Sequence, residues 1–214
     1  MSARSILEEI RKELKPLNDQ VINHKILEDA RLGKLKLDVI KKFVINQWYI
    51  VNYDLRSLCL GASRTSTLEE LKIFKQLIDG DFQALNELVK LMNELGLSIT
   101  DPLAYGEVTS EAVSYTHYIS WLANYSSPPE FLFAGIVNLP VWGIAVTKFG
   151  NALREKYGIR NLGFFEVFKG PYEPLEEEVL KVIEGKIEKE RVRKISRIIQ
   201  DYEKKFWDSI YSDK

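Results

Sequence analysis

The chain has 214 residues, of which 45% are hydrophobic, so it is long enough to bury one substantial core and short for two. We therefore expect a single domain over residues 1–214. Its 30 Lys and Arg residues balance 31 Asp and Glu residues, and a formal net charge of −1 gives no bulk field for nucleic acid, so DNA and RNA are excluded as expected partners.

Cellular location is predicted from three absences in the sequence. Cys59 is the only cysteine, which rules out an intrachain disulfide framework and favours a reducing compartment. The N-terminal residues include acidic side chains and lack the apolar segment of a signal peptide. No run is expected to reach the roughly 20 apolar residues of a membrane span. These features predict a soluble, cytoplasmic protein with no membrane partner.

Two short helices are predicted at the start of the chain. Apolar residues recur at helical spacing from Ile6 to Leu17, and the first helix is expected to end or restart at Asn18 and Asp19. A second helix is predicted over residues 21–32, with Gly33 as its C-terminal cap. His24 lies in this segment and is interpreted as a structural histidine rather than a metal ligand.

The third predicted helix, about residues 36–63, carries polar groups on its apolar face. Gln47 interrupts the core stripe, and Asp54 faces the same way seven residues later. An unpaired buried polar group costs about 1–3 kcal/mol, so both side chains need partners. Two alternatives remain open here: they pair with other core residues, or they face a water or a ligand.

Further helices follow at clear start signals. A capping-box pattern at Ser66 or Thr67 opens a helix that is weakened at residues 79–81 and continues to Gly96. After a loop at residues 97–107, the next helix begins at Thr109 or Ser110.

A long apolar helix is predicted to start at Ser127, which is followed by two prolines. Pro140 interrupts its hydrogen bonding, at a cost of about 3 kcal/mol unless the helix is kinked. Asn138 and Trp142 lie near the bend, which is interpreted either as a pocket wall or as simple bending around neighbouring helices.

The last predicted helix has an apolar stripe from Val192 to Ile210, with the carboxyl group of Glu203 at its edge. Every periodic segment has a helical period and none alternates as a strand does, so the sequence predicts an all-α fold. It contains no Glu-x-x-His pair, no zinc-ligand spacing and no glycine-rich phosphate loop, so neither metal nor cofactor is predicted. The candidate pocket is built from aromatic and polar side chains, namely Gln47, Tyr49, Tyr53, Asp54, Tyr115, Tyr118, Asn138, Trp142, Phe165 and Glu203.

Several segments resemble the TenA/PqqC superfamily. The sequences VTKFGNALR at 146–154, KYGI at 156–159 and FFEV at 164–167 carry the resemblance, and so do residues 23–26, 33–35, 44–49 and 202–211. It extends from about Asn18 to Tyr211. The resemblance implies a haem-oxygenase-like helical bundle that encloses a small-molecule pocket, and a homo-oligomer.

The resemblance also implies an activity and site residues. TenA proteins hydrolyse thiamine-derived aminopyrimidines with a pocket aspartate, tyrosines, a cysteine and a glutamate near the C-terminus. Glu203 occupies the position of that glutamate, whereas Gln47 stands in place of the aspartate and Ile50 in place of a tyrosine, and no cysteine lies near Pro140. We therefore predict a small heterocyclic ligand, with Glu203 and Gln47 at the catalytic positions and the other pocket residues contacting the ligand.

The resemblance leaves open whether the chain is an enzyme. If it is active, a thiaminase II-like aminopyrimidine hydrolase is predicted. The alternatives are a non-catalytic ligand-binding or protein-interaction member and a metal-free PqqC-like oxidase. No metal is expected, because the ligand positions of the metal-binding relatives correspond to Asn138, Phe168, Tyr172 and Leu175.

Overall fold

The computed structural model describes residues 1–211, which fold into helices without a strand, as the sequence predicts. A short 3-10 turn at Pro102–Ala104 lies in the loop before the fifth helix. The α-helices of this part of the chain are α1 (Ala3–Ile22), α2 (Lys25–Arg31), α3 (Leu37–Ser63), α4 (Leu68–Glu94), α5 (Ser110–Tyr125), α6 (Pro128–Tyr157), α7 (Gly163–Val167), α8 (Glu173–Ile183) and α9 (Lys189–Tyr211).

Side-chain caps fix the starts of the longer helices. The Thr67 and Thr109 hydroxyls accept hydrogen bonds from backbone N–H groups three residues later, at α4 and α5. At α6, Ser127 and Glu130 form a reciprocal capping box. The three predicted helix starts are thus confirmed.

The predicted boundaries of α1 and α2 were wrong, whereas α4 begins and ends where the sequence predicts. α1 continues through Asn18 and Asp19 to Ile22, and α2 begins only at Lys25. The reason is His24, whose Nδ1 accepts the Ile26 N–H at 3.2 Å and so caps α2, which also confirms a structural role for this histidine. α4 runs unbroken through Gly80, because burial of its apolar face outweighs the roughly 1 kcal/mol cost of a helical glycine.

The proline in α6 has a specific partner for the carbonyl that it frees. Pro140 has no N–H to donate to the Ile136 carbonyl four residues earlier. That carbonyl instead accepts a hydrogen bond from Arg11 Nη2 of α1 at 2.9 Å. Arg11 is in turn held by Glu176 of α8, at 2.6 Å. The break in the hydrogen bonding of α6 is therefore compensated by two neighbouring helices.

The prediction that no segment is long enough to span a membrane was wrong in one case. By length and composition, α6 could cross a bilayer, but 72% of its most apolar window is buried inside the protein. Its apolar surface is accounted for by packing against the surrounding helices, so we assign it as the core helix of the bundle.

Two hydrophobic clusters form the interior. The first is rich in aromatic rings and is centred on Phe43, which packs against rings from α6, α7 and α9. The second includes Phe74, Leu122, Phe133 and Ile183. Between the two clusters the packing is incomplete, and the resulting space is lined by residues of both.

Candidate ligand-binding cavity

A cavity of about 140 Å³ lies between the two hydrophobic clusters. A cavity of roughly 150 Å³ is known to accept benzene, so this space suits a ligand built on a single aromatic ring. Its walls come mainly from α3, α4, α5, α6, α8 and α9 and are largely apolar. The polar members of the lining are Gln47, Asp54, Asp81, Tyr115, Asn138 and Glu203.

Glu203 is the most deeply buried carboxyl group of the cavity, with 3% of its surface exposed. Trp207 Nε1 donates to its Oε1 at 2.8 Å, and Asn138 Nδ2 lies 3.3 Å from its Oε2. Both partners are neutral. Burial therefore outweighs these hydrogen bonds and raises the pKa of Glu203 to about 7. At neutral pH this group is poised between its acid and its base form.

A chain of amides and a phenol fixes the orientation of Asn138. Its Nδ2 donates to Gln200 Oε1 at 2.8 Å, and Gln200 Nε2 donates to Asn18 Oδ1 at 2.6 Å. On the other side, the Tyr115 hydroxyl donates to Asn138 Oδ1 at 2.9 Å. These bonds leave Asn138 with a single orientation, so its N–H group always points towards Glu203.

Asp54 and Asp81 form a second acidic region of the cavity. Asp54 on α3 accepts a hydrogen bond from the Thr116 hydroxyl on α5. Burial, and after it the nearby charge of Asp81 on α4, raises the pKa of Asp54 well above its usual value. Burial raises the pKa of Asp81 to about 7. Both carboxyl groups line the same cavity, and the charge of Asp81 disfavours ionisation of Asp54.

Gln47 is, together with Asp81, a polar residue of the lining without a hydrogen-bond partner in the described chain. Its side chain is 3% exposed, and among residues 1–211 its amide has no hydrogen-bond partner. A buried amide normally has at least one partner, and leaving it without one costs about 1–3 kcal/mol. Of the two sequence-based alternatives for this residue, the structure favours the second, in which the amide faces the cavity contents.

The structure brings six of the ten predicted site residues together and places four elsewhere. Gln47, Asp54, Tyr115, Asn138, Trp142 and Glu203 line the cavity. Tyr49, Tyr53, Tyr118 and Phe165 do not. The structure places these four side chains outside the cavity lining, and their contact with a ligand stays a prediction.

Each of the four makes its contacts away from the cavity lining. Tyr49 packs against Tyr53 at 4.5 Å between ring centroids, and its hydroxyl lies 3.2 Å from His117 Nε2. Tyr118 stacks on the partly exposed Trp121. Phe165 belongs to the aromatic cluster around Phe43. Helical spacing alone did not separate these residues from the cavity wall.

Other functional groups were missed from the sequence. Asp81 was interpreted only as part of a weak point in a helix, although it follows Leu77 by four residues and both line the cavity. Trp207 and Gln200 hold Glu203 and Asn138 from the adjacent turns of α9. The signal that could have found them is spacing of three and four residues from Glu203.

The apolar sequence around Cys59 predicts a buried, inert thiol, but this residue is exposed on α3 and does not line the cavity, so that prediction was wrong. Among residues 1–211 no group of three or more His, Cys, Asp and Glu side chains is arranged to hold a metal ion. The polar side chains that line the cavity carry carboxyl, amide and phenol groups.

These features define a class: an all-helical bundle with an acidic, aromatic-lined cavity between its helices. The family model of the TENA/THI-4/PQQC family matches residues 11–213, and the chain belongs to this family. The family resemblance found in the sequence is thereby confirmed.

Solved structures show the same fold. A TenA homologue from Pyrococcus furiosus is 24% identical, with a TM-score of 0.77 over 96% of this chain and 100% of that one. A TenA homologue from P. horikoshii OT3 is 20% identical, also with a TM-score of 0.77, over 96% of this chain and 98% of that one. A protein assigned as a TenA-like thiaminase from Sulfolobus solfataricus P2 is 20% identical, with a TM-score of 0.69 over 95% and 94% of the two chains. The search of curated proteins finds no match.

Proposed function

We propose that the chain binds a small aminopyrimidine-type heterocycle in this cavity and that Glu203 pairs with its nitrogen edge. The observation that carries the proposal is a buried carboxyl group, held by Asn138 and Trp207, at the wall of a cavity the size of one aromatic ring. Family membership and the likeness to TenA homologues support the same ligand class.

The chemistry of Glu203 suits this ligand. An aminopyrimidine presents a ring nitrogen that accepts a proton beside an amino group that donates one. A carboxyl group with a pKa near 7 can either donate to the ring nitrogen or, once ionised, pair with the protonated ring through two charge-assisted hydrogen bonds. Trp142, Phe206 and Phe168 supply apolar and aromatic walls for the ring.

Hydrolysis in this cavity would need water as the attacking group. The lining contains no thiol, and Cys59 lies outside it. The reaction to test is the replacement of an exocyclic amine by water, in which a 5-aminomethyl group becomes a 5-hydroxymethyl group and ammonia leaves. Glu203 could protonate the ring during departure of the amine, while another carboxylate of the cavity accepts a proton from the water.

The binding proposal is tested by isothermal titration calorimetry with a 4-aminopyrimidine that carries a hydroxymethyl group at ring position 5. Glu203→Gln should weaken binding about 10- to 100-fold, because a hydrogen bond to a charged group is worth about 1.5–3 kcal/mol. The matched control is Glu155→Gln, an exposed glutamate of α6, which should leave the affinity unchanged.

Two results would contradict the proposal: no binding to the wild type, or equal affinity in Glu203→Gln. Ammonia release from the 5-aminomethyl analogue by the wild type, and its loss in Glu203→Gln, would distinguish a hydrolase from a protein that only binds. Absence of release with intact binding would assign the chain to the non-catalytic alternative.

A further inference from the structure

One wall of the cavity is formed by a short connecting segment. We call residues 168–175 the α7–α8 segment, because they run from the end of α7 into the first turn of α8. Two of its side chains, Phe168 and Leu175, line the cavity. Most of the other lining residues lie on α3, α4 and α6, helices of 27, 27 and 30 residues. Gln47 and Glu203 inside the cavity are buried, so a ligand reaches them only past this lining, and the short segment disturbs the core least when it moves.

The polar contacts of the α7–α8 segment are all local in sequence. The Tyr172 hydroxyl donates to the Phe168 carbonyl oxygen at 2.9 Å, and the Lys169 N–H donates to the Glu166 carbonyl oxygen at 3.2 Å. Within residues 1–211, no hydrogen bond or ion pair joins the segment to a helix other than α7 and α8. It is therefore held against the rest of the bundle by packing alone.

The chain is anchored by ion pairs on both sides of this segment. Glu166 of α7 pairs with Arg154 of α6 at 3.1 Å. Glu176 of α8 pairs at 2.6 Å with Arg11 of α1, the arginine that also binds the free carbonyl of α6. A change of backbone conformation between these two points moves the segment without breaking either ion pair, as hinge residues do in loops that cover binding sites.

The contact that packs the segment onto α6 is a tyrosine against a glycine. Gly143 is buried, and a Cβ atom there would overlap the Tyr172 hydroxyl and the Phe168 carbonyl oxygen and would lie 2.8 Å from Tyr172 Cζ. The missing side chain thus allows the Tyr172 ring to lie directly on the helix backbone. The Phe168 ring is then placed 5.8 Å from the ring of Trp142, which lines the same cavity. The position of this wall therefore depends on the contact between Tyr172 and Gly143.

We propose that the α7–α8 segment is the gate of the cavity and that the Tyr172 ring, packed on Gly143, is the latch that holds it closed. The gate opens when the segment moves between its two ion-paired ends, while α3, α4, α6 and α9 stay packed. Opening withdraws two side chains from the lining and breaks no hydrogen bond to another helix. This inference goes beyond the proposed function, because it holds for any small molecule that enters the cavity.

The test measures how fast a small reagent reaches the cavity. In a Cys59→Ser background, a reporter thiol is introduced either at the cavity wall, by Val51→Cys, or in the packed core on the same helix, by Val44→Cys. The two valines are 4% and 0% exposed, and only Val51 lines the cavity. Reaction with methyl methanethiosulfonate is followed by mass spectrometry. The ratio of the two rates separates opening of the cavity from unfolding of the whole chain.

With the segment unchanged, Val51→Cys should react at least tenfold faster than Val44→Cys, since the gate opens while the core stays folded. It should react at least tenfold more slowly than the exposed Cys59 of the wild type, since the gate is mostly closed. Equal rates for the two reporters would mean that the reagent enters only on unfolding. A rate for Val51→Cys equal to that of Cys59 would mean a permanently open cavity. Either result would overturn the inference.

The latch is tested by two substitutions made in both reporter chains. Tyr172→Ala removes the latch ring, and Gly143→Ala inserts a methyl group that displaces it. Each should raise the ratio of the two rates by at least a further tenfold. The matched control is Gly150→Ala, which adds the same methyl group to α6 but against Phe165. This control should leave the ratio within twofold of its starting value.

An unchanged ratio in both Tyr172→Ala and Gly143→Ala would place the entrance elsewhere and refute the gate. An equal rise in Gly150→Ala would refute it too, because the rates would then follow overall stability. The measurement with the unchanged segment decides the matter even if a variant fails to fold. No ligand takes part in this experiment, so its outcome is independent of the test of aminopyrimidine binding.

Discussion

The aromatic cluster around Phe43 and the cavity beside it share Trp142 and Phe206 but are packed in opposite ways. In the cluster, rings from α3, α6, α7 and α9 lie at centroid distances of 4.8–6.5 Å, and Gly150 allows the Phe165 ring to approach the backbone of α6. In the cavity, Gly135 of the same helix faces open space. The cluster is filled with side chains, while the cavity keeps volume and uncompensated polar groups.

This difference indicates that the aromatic cluster stabilises the fold, whereas the polar groups of the cavity reduce its stability. Well-packed aromatic rings contribute both buried area and favourable ring geometry. Buried carboxyl groups without cations, and an amide without a partner, oppose folding until a ligand arrives. Substitutions that relieve these groups should therefore stabilise the protein while impairing binding, whereas the same type of change in the cluster should destabilise it.

The largest expected effect concerns Glu203 and pH. Its pKa is about 7 in the folded protein against an ordinary value of 4.5, so the folded state holds a proton more tightly than the unfolded state. The contribution of Glu203 to the free energy of unfolding should then be greatest below pH 4.5 and be lost as the pH rises through 7. The full difference corresponds to about 3 kcal/mol. In Glu203→Gln this decrease is absent, so the variant should be more stable than the wild type at pH 8.5 by up to that amount.

Urea unfolding at pH 5 and pH 8.5 measures the effect. The contribution of Asp54, Asp81 and Tyr115, the neighbouring titratable groups, is present in both proteins and cancels in the comparison to first order. A stability difference between wild type and Glu203→Gln that is the same at both pH values would contradict this account of the buried carboxyl group.

A smaller effect, with opposite signs in the two regions, is expected for glycine substitutions in α6. Gly135→Ala places a methyl group in open space and should raise the free energy of unfolding by about 0.5–1 kcal/mol, because alanine favours the helix. In Gly150→Ala the new Cβ would lie 2.6–2.7 Å from atoms of the Phe165 side chain. This overpacking should lower the free energy of unfolding by about 1–3 kcal/mol.

Thermal unfolding of the two variants checks both signs in one experiment. A stabilised Gly150→Ala would mean that the cluster can relax around the added methyl group. A destabilised Gly135→Ala would mean that the space beside it is not available to a side chain.

Sequence periodicity was sufficient to predict the fold class, the helix starts at Thr67, Thr109 and Ser127, and the position of Glu203 on the inner face of α9. It was not sufficient for α3, where Gln47 and Asp54 face the cavity but Tyr49 and Tyr53 do not. An apolar helical stripe identifies the buried side of a helix, and the cavity occupies only part of that side. Which residues border empty space depends on the packing of six helices, a long-range property that no single segment encodes.

Asp81 is a cavity residue that local sequence patterns did not identify. The local sequence Asp79-Gly80-Asp81 favours a helix interruption, since both residue types have low helix propensity. In the folded protein α4 passes through it, and Asp81 faces the cavity while Asp79 is exposed. Tertiary packing decides both outcomes, so the acidic pair with Asp54 could be recognised only once α3 and α4 were placed side by side.

The smallest effect distinguishes two tyrosines that lie three residues apart on α5. The Tyr115 hydroxyl donates to Asn138 Oδ1 at 2.9 Å, and Tyr115→Phe removes this bond and leaves a buried oxygen without a donor. We expect a loss of about 1 kcal/mol, which for a chain of this size lowers the melting temperature by about 2–4 °C. The hydroxyl of Tyr118 is buried and has no partner in the described structure, so Tyr118→Phe should be neutral or slightly stabilising.

Both substitutions remove one oxygen from the same helix, and differential scanning calorimetry compares their melting temperatures directly. Equal melting temperatures for the two variants would show that Asn138 does not depend on Tyr115, and that the orientation of its N–H group towards Glu203 is set by Gln200 alone.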